Sequence, residues 1–227
     1  PRSTLFPYTT LFRSVEGDIK GFFDNIDHAV MIDILRKRIK DERFLRLIRK
    51  FLNAGYMEDN RLHQNYSGTP QGGIISPILA NIYLDQLDKY MAEMKERFDK
   101  GDKRRYSPEY LKMCNRRTTL RRKMESLTVP EERADVLARI QELDKIRQTI
   151  PCKDPMDSGF RRLQYVRYAD DFIIGIIGSK SDAQAVKQEV GKYIAEQLRL
   201  ELSDEKTLVT KATDRAKFLG FEIRVTP

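Results

Sequence analysis

Tyr165-Val166-Arg167-Tyr168-Ala169-Asp170-Asp171-Phe172-Ile173-Ile174-Gly175-Ile176-Ile177 sets two adjacent carboxylates between two apolar runs. Leu163, Tyr165 and their neighbours favour a strand before the acids. Phe172 to Ile177 is almost continuously β-branched or aromatic, the pattern of a strand buried on both faces. Ala169-Asp170-Asp171 is then a hairpin tip that holds two acids at one rigid point. A hydrated Mg²⁺ suits such a point, because it takes oxygen ligands and usually only one or two carboxylates. A plain polar turn has the same composition, since Asp is common at turns.

A second acid cluster opens the first half. In Val15-Glu16-Gly17-Asp18-Ile19-Lys20-Gly21-Phe22-Phe23-Asp24-Asn25-Ile26-Asp27-His28, Asp18 starts a short strand-like run rich in Ile and Phe. A strand feeding a turn is a good platform for a metal-binding carboxylate. Asp27 precedes Val30, Met31, Ile34 and Leu35 at helical spacing and reads as an N-cap. Phe44, Leu45, Ile48 and Leu52 mark another helix, and the Gly55 and Asp59-Asn60 region a hairpin.

Ser67-Gly68-Thr69-Pro70-Gln71-Gly72-Gly73-Ile74-Ile75-Ser76-Pro77 is a glycine loop leading into a helix, with Ser76 as N-cap and Pro77 at the first helical position. Its glycines let backbone approach a ligand, and Gln71 offers both donor and acceptor. It lacks the Gly-Lys-Ser/Thr ending of a Walker loop. An ordinary tight connection fits the same residues.

Residues from about 95 to 162 form a basic insertion. Lys103-Arg104-Arg105, Arg116-Arg117, Arg121-Arg122-Lys123 and Arg161-Arg162 recur with Tyr106, Tyr110 and Phe160 among them. Arginines interleaved with aromatics suit a nucleic-acid backbone with some stacking. A solvated helical hairpin is the alternative, with Leu137, Ile140, Leu143 and Ile146 on one helix face. Beyond the acid hairpin, Ser181-Asp182-Ala183-Gln184 has capping-box spacing before a helix marked by Val186, Val190, Ile194 and Leu198. Leu200-Glu201-Leu202-Ser203, Leu208-Val209-Thr210 and Phe218-Leu219-Gly220-Phe221-Glu222-Ile223 read as strands, with Lys206 between the first two.

Composition narrows the class. A net charge of +8 over 227 residues points to a polyanionic partner, most often nucleic acid. Two cysteines make no disulfide framework, and two histidines argue against zinc. No apolar run nears the roughly 20 residues that span a bilayer. Residues 1–14, PRSTLFPYTTLFRS, do not read as a signal peptide. They resemble translated sequencing-adapter sequence and are set aside as non-native, leaving 15–227 as the credible domain.

Asp18, Asp170 and Asp171 stand on strand-like supports far apart in sequence, so a shared site requires adjacent strands. Clustered carboxylates repel unless divalent cations neutralise them. Two Mg²⁺ ions there would suit nucleotidyl transfer from a 3′-hydroxyl with a pyrophosphate leaving group.

In order, Gly17 to His28, Gly68 to Pro77, Tyr168-Ala169-Asp170-Asp171 (a YADD motif) and Phe218-Leu219-Gly220-Phe221 resemble a group II intron-encoded reverse transcriptase, or maturase. The resemblance implies an α+β fold: a right-hand polymerase palm with an antiparallel sheet backed by helices, part of the fingers and the basic helical insertion. It implies that Asp18, Asp170 and Asp171, with the Ile19 carbonyl, hold two Mg²⁺ ions, Mn²⁺ being a possible substitute. It makes Phe23 an aromatic gate against the ribose 2′-hydroxyl, Gln71 and Gly72 the lining of the incoming nucleotide, and Lys206 the proton donor to pyrophosphate. Phe218-Leu219-Gly220 matches a primer-grip hairpin. The implied partners are RNA template and primer, intron RNA and deoxynucleoside triphosphates, in a bacterial cytoplasm. The resemblance also implies a palm fragment of a longer protein, weak or inactive alone, because finger segments and a thumb are not in the sequence. A retron or diversity-generating reverse transcriptase shares the acids, and an RNA-binding splicing cofactor would not need them.

Overall fold

The computed structural model describes residues 12–53, 56–58, 61–63, 68–69, 74–154 and 156–224. Strand β1 (Phe12–Asp18) is followed by the single turn α1 (Phe22–Asn25), then α2 (His28–Arg36) and α3 (Glu42–Asn53). Strands β2 (Tyr56–Glu58) and β3 (Arg61–His63) pair as a hairpin. The long α4 (Ser76–Phe98) leads to α5 (Pro108–Ser126) and α6 (Pro130–Thr149). Strands β4 (Arg162–Tyr168) and β5 (Asp171–Ile177), helix α7 (Lys180–Leu198) and the short β6 (Val209–Lys211), β7 (Ala216–Phe218) and β8 (Phe221–Ile223) complete the order.

The principal sheet has the order β4-β5-β1-β6 and is antiparallel throughout. One face packs on helices: Val15, Leu163, Phe172, Ile174 and Ile176 share a core with Leu87 and Met91 of α4 and Val190 and Ile194 of α7. The chain is thus an α+β fold with an antiparallel sheet backed by helices. Among the described residues no helix is long and apolar enough to cross a membrane. Cys114 and Cys152 are free thiols.

Gly17 sets the packing beneath the acids. It pairs with Phe172 across β1 and β5, and a Cβ at Gly17 would lie 2.1 Å from the Phe172 ring. The ring is 1% exposed, so it fills space that any other residue would claim.

Several local expectations are corrected. Strand β5 alternates between buried and half-buried residues instead of being buried on both faces, because helices cover only the face of Phe172, Ile174 and Ile176. Asp18 ends a strand, and Phe22-Phe23 begin a helical turn after Gly21 at φ 53°. The cap of α4 is Ile75, with Ser76 already helical and buried. The capping box of α7 is Ser179 with Asp182, two residues earlier than expected, since only Ser179 can accept from the Asp182 amide. Leu200–Ser203 contributes only an isolated bridge, Leu202 to Ile19. Residues 216–223 form a hairpin of two strands, with the turn at Leu219 and Gly220, both at positive φ.

The basic segment leaves the core only after Phe98, since Met94 is buried and Phe98 packs on the core. Helices α5 and α6 form a hairpin whose buried contacts are Val136 and Ile140; Leu137 and Ile146 are exposed. Phe12, Arg13 and Ser14, which the sequence alone assigns to a non-native stretch, pair with Ile177, Ile176 and Gly175. Extended backbone suffices for that ladder, so side-chain pattern gave no hint of it. Gly55, Asp59, Asn60, Pro70, Gln71, Gly72 and Gly73 lie outside the described residues.

Candidate functional site

Strand register brings the distant acids together. Asp18, the last residue of β1, is the Cα partner of Asp171, the first residue of β5. Opposed residues in an antiparallel pair lie about 4.5–5.5 Å apart, close enough for the carboxylates to interact directly. Asp171 is also the partner of Tyr168, so the β4–β5 loop is Ala169-Asp170 alone. Ala169 lies at φ 53°, where a tight hairpin needs left-handed backbone.

The electrostatics follow. Burial first, then the Asp170 and Asp18 charges, push the Asp171 carboxyl above the ordinary aspartate range, while Lys206 pulls it down. Lys206 Nζ lies 3.2 Å from Asp18 Oδ2. Its side chain is 69% exposed, so it is a solvated lysine and an ion-pair partner at once. Its hydrogen bond to Asp18 raises its own pKa and keeps it an ammonium.

The flanking backbone is pinned. The Ser203 amide donates to the Asp18 carbonyl at 2.8 Å and the Lys20 amide to Glu201 at 2.9 Å. Those bonds make the Ile19–Leu202 bridge without using the carbonyl of Ile19, whose side chain is 1% exposed in the core. Phe23 is half-buried in α1, edge-on to Phe22 with ring centroids 5.3 Å apart. The Thr69 amide donates to the Phe23 carbonyl at 2.7 Å, and His28 Nε2 reaches the Gly68 carbonyl at 2.6 Å, which ties the start of the glycine loop to α1 and α2. Gln71 and Gly72 fall outside the described residues.

A cleft of about 500 Å³ adjoins the acids, lined by Asp18, Asp171, Lys206 and the β7–β8 hairpin. Glu16, two residues before Asp18 and so on the same face, is buried and holds that hairpin. Its carboxylate accepts from the Thr210 hydroxyl and, at 2.8 Å, from the Lys217 amide.

The donor set fits a divalent cation in an open site. Mutually repelling carboxylates already draw an ammonium to their edge, the place a metal charge would take. Among the described residues no group of three or more His, Cys, Asp or Glu side chains is placed to hold a metal by itself. That suits a cation that completes its shell with substrate oxygens and water.

Three contributors escaped the sequence reading: Glu16, Asp88 and Arg167. Arg167 Nε and Nη2 make a two-pronged pair with Asp88 of α4 at 2.8 and 2.6 Å, and Tyr165 donates to Asp88 at 3.0 Å. Burial, then Asp88, pushes the Tyr165 phenol upward and keeps it a donor. The available signal was the strand period: Leu163, Tyr165 and Arg167 share the inward face, and an inward arginine requires a carboxylate on the facing helix.

Acids at the end of a hairpin, on an antiparallel sheet backed by helices, define the class. The sequence model of the reverse transcriptase (RNA-dependent DNA polymerase) family matches residues 13–128 and 140–223, and the chain belongs to that family. The unmatched stretch falls at the start of α6. Over 211 residues the chain is 48% identical to the group II intron-encoded protein LtrA of Lactococcus lactis subsp. cremoris, covering 93% of this chain and 35% of LtrA. It is 36% identical to the putative COX1/OXI3 intron 1 protein of Saccharomyces cerevisiae, over 94% of this chain and 24% of that protein. It is 28% identical to YkfC of Escherichia coli, over 92% of this chain and 46% of YkfC. The chain therefore spans about a third of LtrA. The family implies a divalent metal.

Proposed function

We propose that this chain is the catalytic palm, with part of the fingers and a basic insertion, of a group II intron reverse transcriptase that extends a primer on an RNA template. The observation that carries the reading is the register pair Asp18–Asp171 with Lys206 on its edge, at the mouth of the hairpin-lined cleft.

Asp18, Asp170 and Asp171, with the Ile19 carbonyl, would hold two Mg²⁺ ions, or Mn²⁺ in their place. Bound there, the ions supply charge neutralisation and lower the pKa of a bound hydroxyl. The remaining work falls to the chain. Lys206 holds a proton on Nζ beside the acids, within reach of a departing pyrophosphate. The half-buried Phe23 ring walls the sugar side and excludes a ribose 2′-hydroxyl, which selects deoxynucleotides. Gln71 and Gly72 line the incoming base pair. The β7–β8 hairpin, fastened by Glu16, supports the primer. In this reading the setting is the bacterial cytoplasm, and the stretch set aside as non-native stops short of Phe12, because Phe12–Ser14 pair in β1 and the family match begins at residue 13.

The test is primer extension on an RNA template with deoxynucleotides and Mg²⁺, using the chain joined to finger and thumb segments of a relative. Extension that vanishes in Asp170→Ala/Asp171→Ala supports the polymerase. No extension by the joined protein, with tight RNA binding retained, overturns it.

A second reading is an RNA-binding splicing cofactor. It is favoured by the uneven charge of the helical hairpin: α5 carries Lys112, Arg116, Arg117, Arg121, Arg122 and Lys123 against Glu109 and Glu125. Splicing of an intron RNA that survives the double substitution would support that role.

A further inference from the structure

The peptide that joins Ala169 to Asp170 is held by a side chain of β4 that is itself anchored on helix α4. Arg167 Nη1 donates to the Ala169 carbonyl at 2.8 Å. The same guanidinium is fixed on its other edge by both carboxylate oxygens of Asp88. Its side chain is only 10% exposed, so it has little freedom to reorient. Ala169 occupies left-handed backbone, a conformation a non-glycine residue keeps only when its surroundings enforce it. The carbonyl that Arg167 grips belongs to the peptide plane whose nitrogen is that of Asp170. The grip therefore sets the direction in which the Asp170 side chain leaves the loop.

We infer that Arg167 and Asp88 are positioning residues that aim Asp170 at the Asp18–Asp171 pair, coupling the metal-binding acids to helix α4. The inference rests on the proposed reading of these acids as metal ligands. A two-residue loop at the end of a hairpin has no other neighbour holding its free carbonyl among the contacts described. Arg suits the task where Lys does not, because its planar fork grips Asp88 with one edge while Nη1 reaches the Ala169 carbonyl. Residues that orient metal ligands without touching the metal typically govern affinity by about 10- to 100-fold.

The experiment is Mn²⁺ titration of the 227-residue chain, with free Mn²⁺ counted by electron paramagnetic resonance. Wild type, Asp171→Asn, Arg167→Lys and Asp88→Asn are compared, each checked for folding by far-UV circular dichroism and Tm. The expected result is roughly tenfold weaker Mn²⁺ binding in both Arg167→Lys and Asp88→Asn, with no further loss in the double variant. Folded variants with a lowered Tm and wild-type affinity would make the pair a purely structural clamp and overturn the inference. If Arg167→Lys does not fold, Asp88→Asn, which keeps the side-chain shape, decides by the same criterion. Wild type and Asp171→Asn binding Mn²⁺ equally would overturn the metal reading itself, and this inference with it. Wild-type binding lost in Asp171→Asn but kept in the other two would overturn this inference alone.

Discussion

Lys206 Nζ and Asp18 Oδ2 stand 3.2 Å apart, joining the end of β1 to the loop that precedes β6. The solvent-exposed ammonium lends a compensating charge at the edge of the acid cluster. Lys206→Ala removes that charge, and the Asp171 carboxyl should rise further. The expected outcome is a steeper gain of Mg²⁺ affinity between acidic and neutral pH than in wild type, read by calorimetry at several pH values.

Asp171→Asn should raise Tm in metal-free buffer. A carboxyl whose pKa is raised by folding binds its proton more tightly in the native state than in the unfolded chain. Native stability therefore declines as pH rises through the carboxylate range, and a neutral amide escapes that loss. Mg²⁺ should then raise the Tm of wild type and leave the variant unmoved, because only a ligand that binds the native state stabilises it. Differential scanning fluorimetry with and without Mg²⁺ checks both.

Asp27 serves helix α2. It accepts from the Val30 amide at 2.9 Å and pairs with Arg199 at 2.8 Å. Burial alone would raise its pKa, but the amide bonds and Arg199 hold it below the ordinary range. Its contribution is present above that range and is lost as pH falls through the lowered value. Asp27→Ala should cost about 1 kcal/mol at neutral pH. The cost should shrink in acid, and metal binding by the folded protein should be intact.

Gly17→Ala should destabilise by about 1–3 kcal/mol, because its Cβ collides with a ring that has no room to retreat. Gly17→Ala/Phe172→Leu should recover part of that loss. Urea unfolding of both variants measures the difference.

Glu16→Ala should free the β7–β8 hairpin. Hydrogen exchange at the Lys217 amide, which Glu16 now accepts at 2.8 Å, should accelerate, while the β4–β5 amides keep their protection.

Some features were readable because the causes are local. The Asp27 cap, the apolar stripe of α7 and the two-strand frame of the YADD motif depend on spacing alone. Other features were misread because a neighbour decided them. The position of the α7 cap turned on which hydroxyl could reach the Asp182 amide. The one-sided burial of β5 turned on where helices settled. Arg167 looked like one more basic residue until its inward position met Asp88.

By itself the sequence determined the candidate residue types and the order in which they occur: an acid early in the chain, two adjacent acids between two strand-forming runs, a lysine beyond the closing helix. Chain spacing carries that much, since strand and turn periods are short-range. Only the tertiary structure decided that β1 lies between β5 and β6, that Asp18 faces Asp171, and that Asp88 reaches across from α4. Those pairings join residues far apart along the chain. The shared hydrophobic core and the hydrogen-bond register of the sheet select them, and no local pattern encodes either.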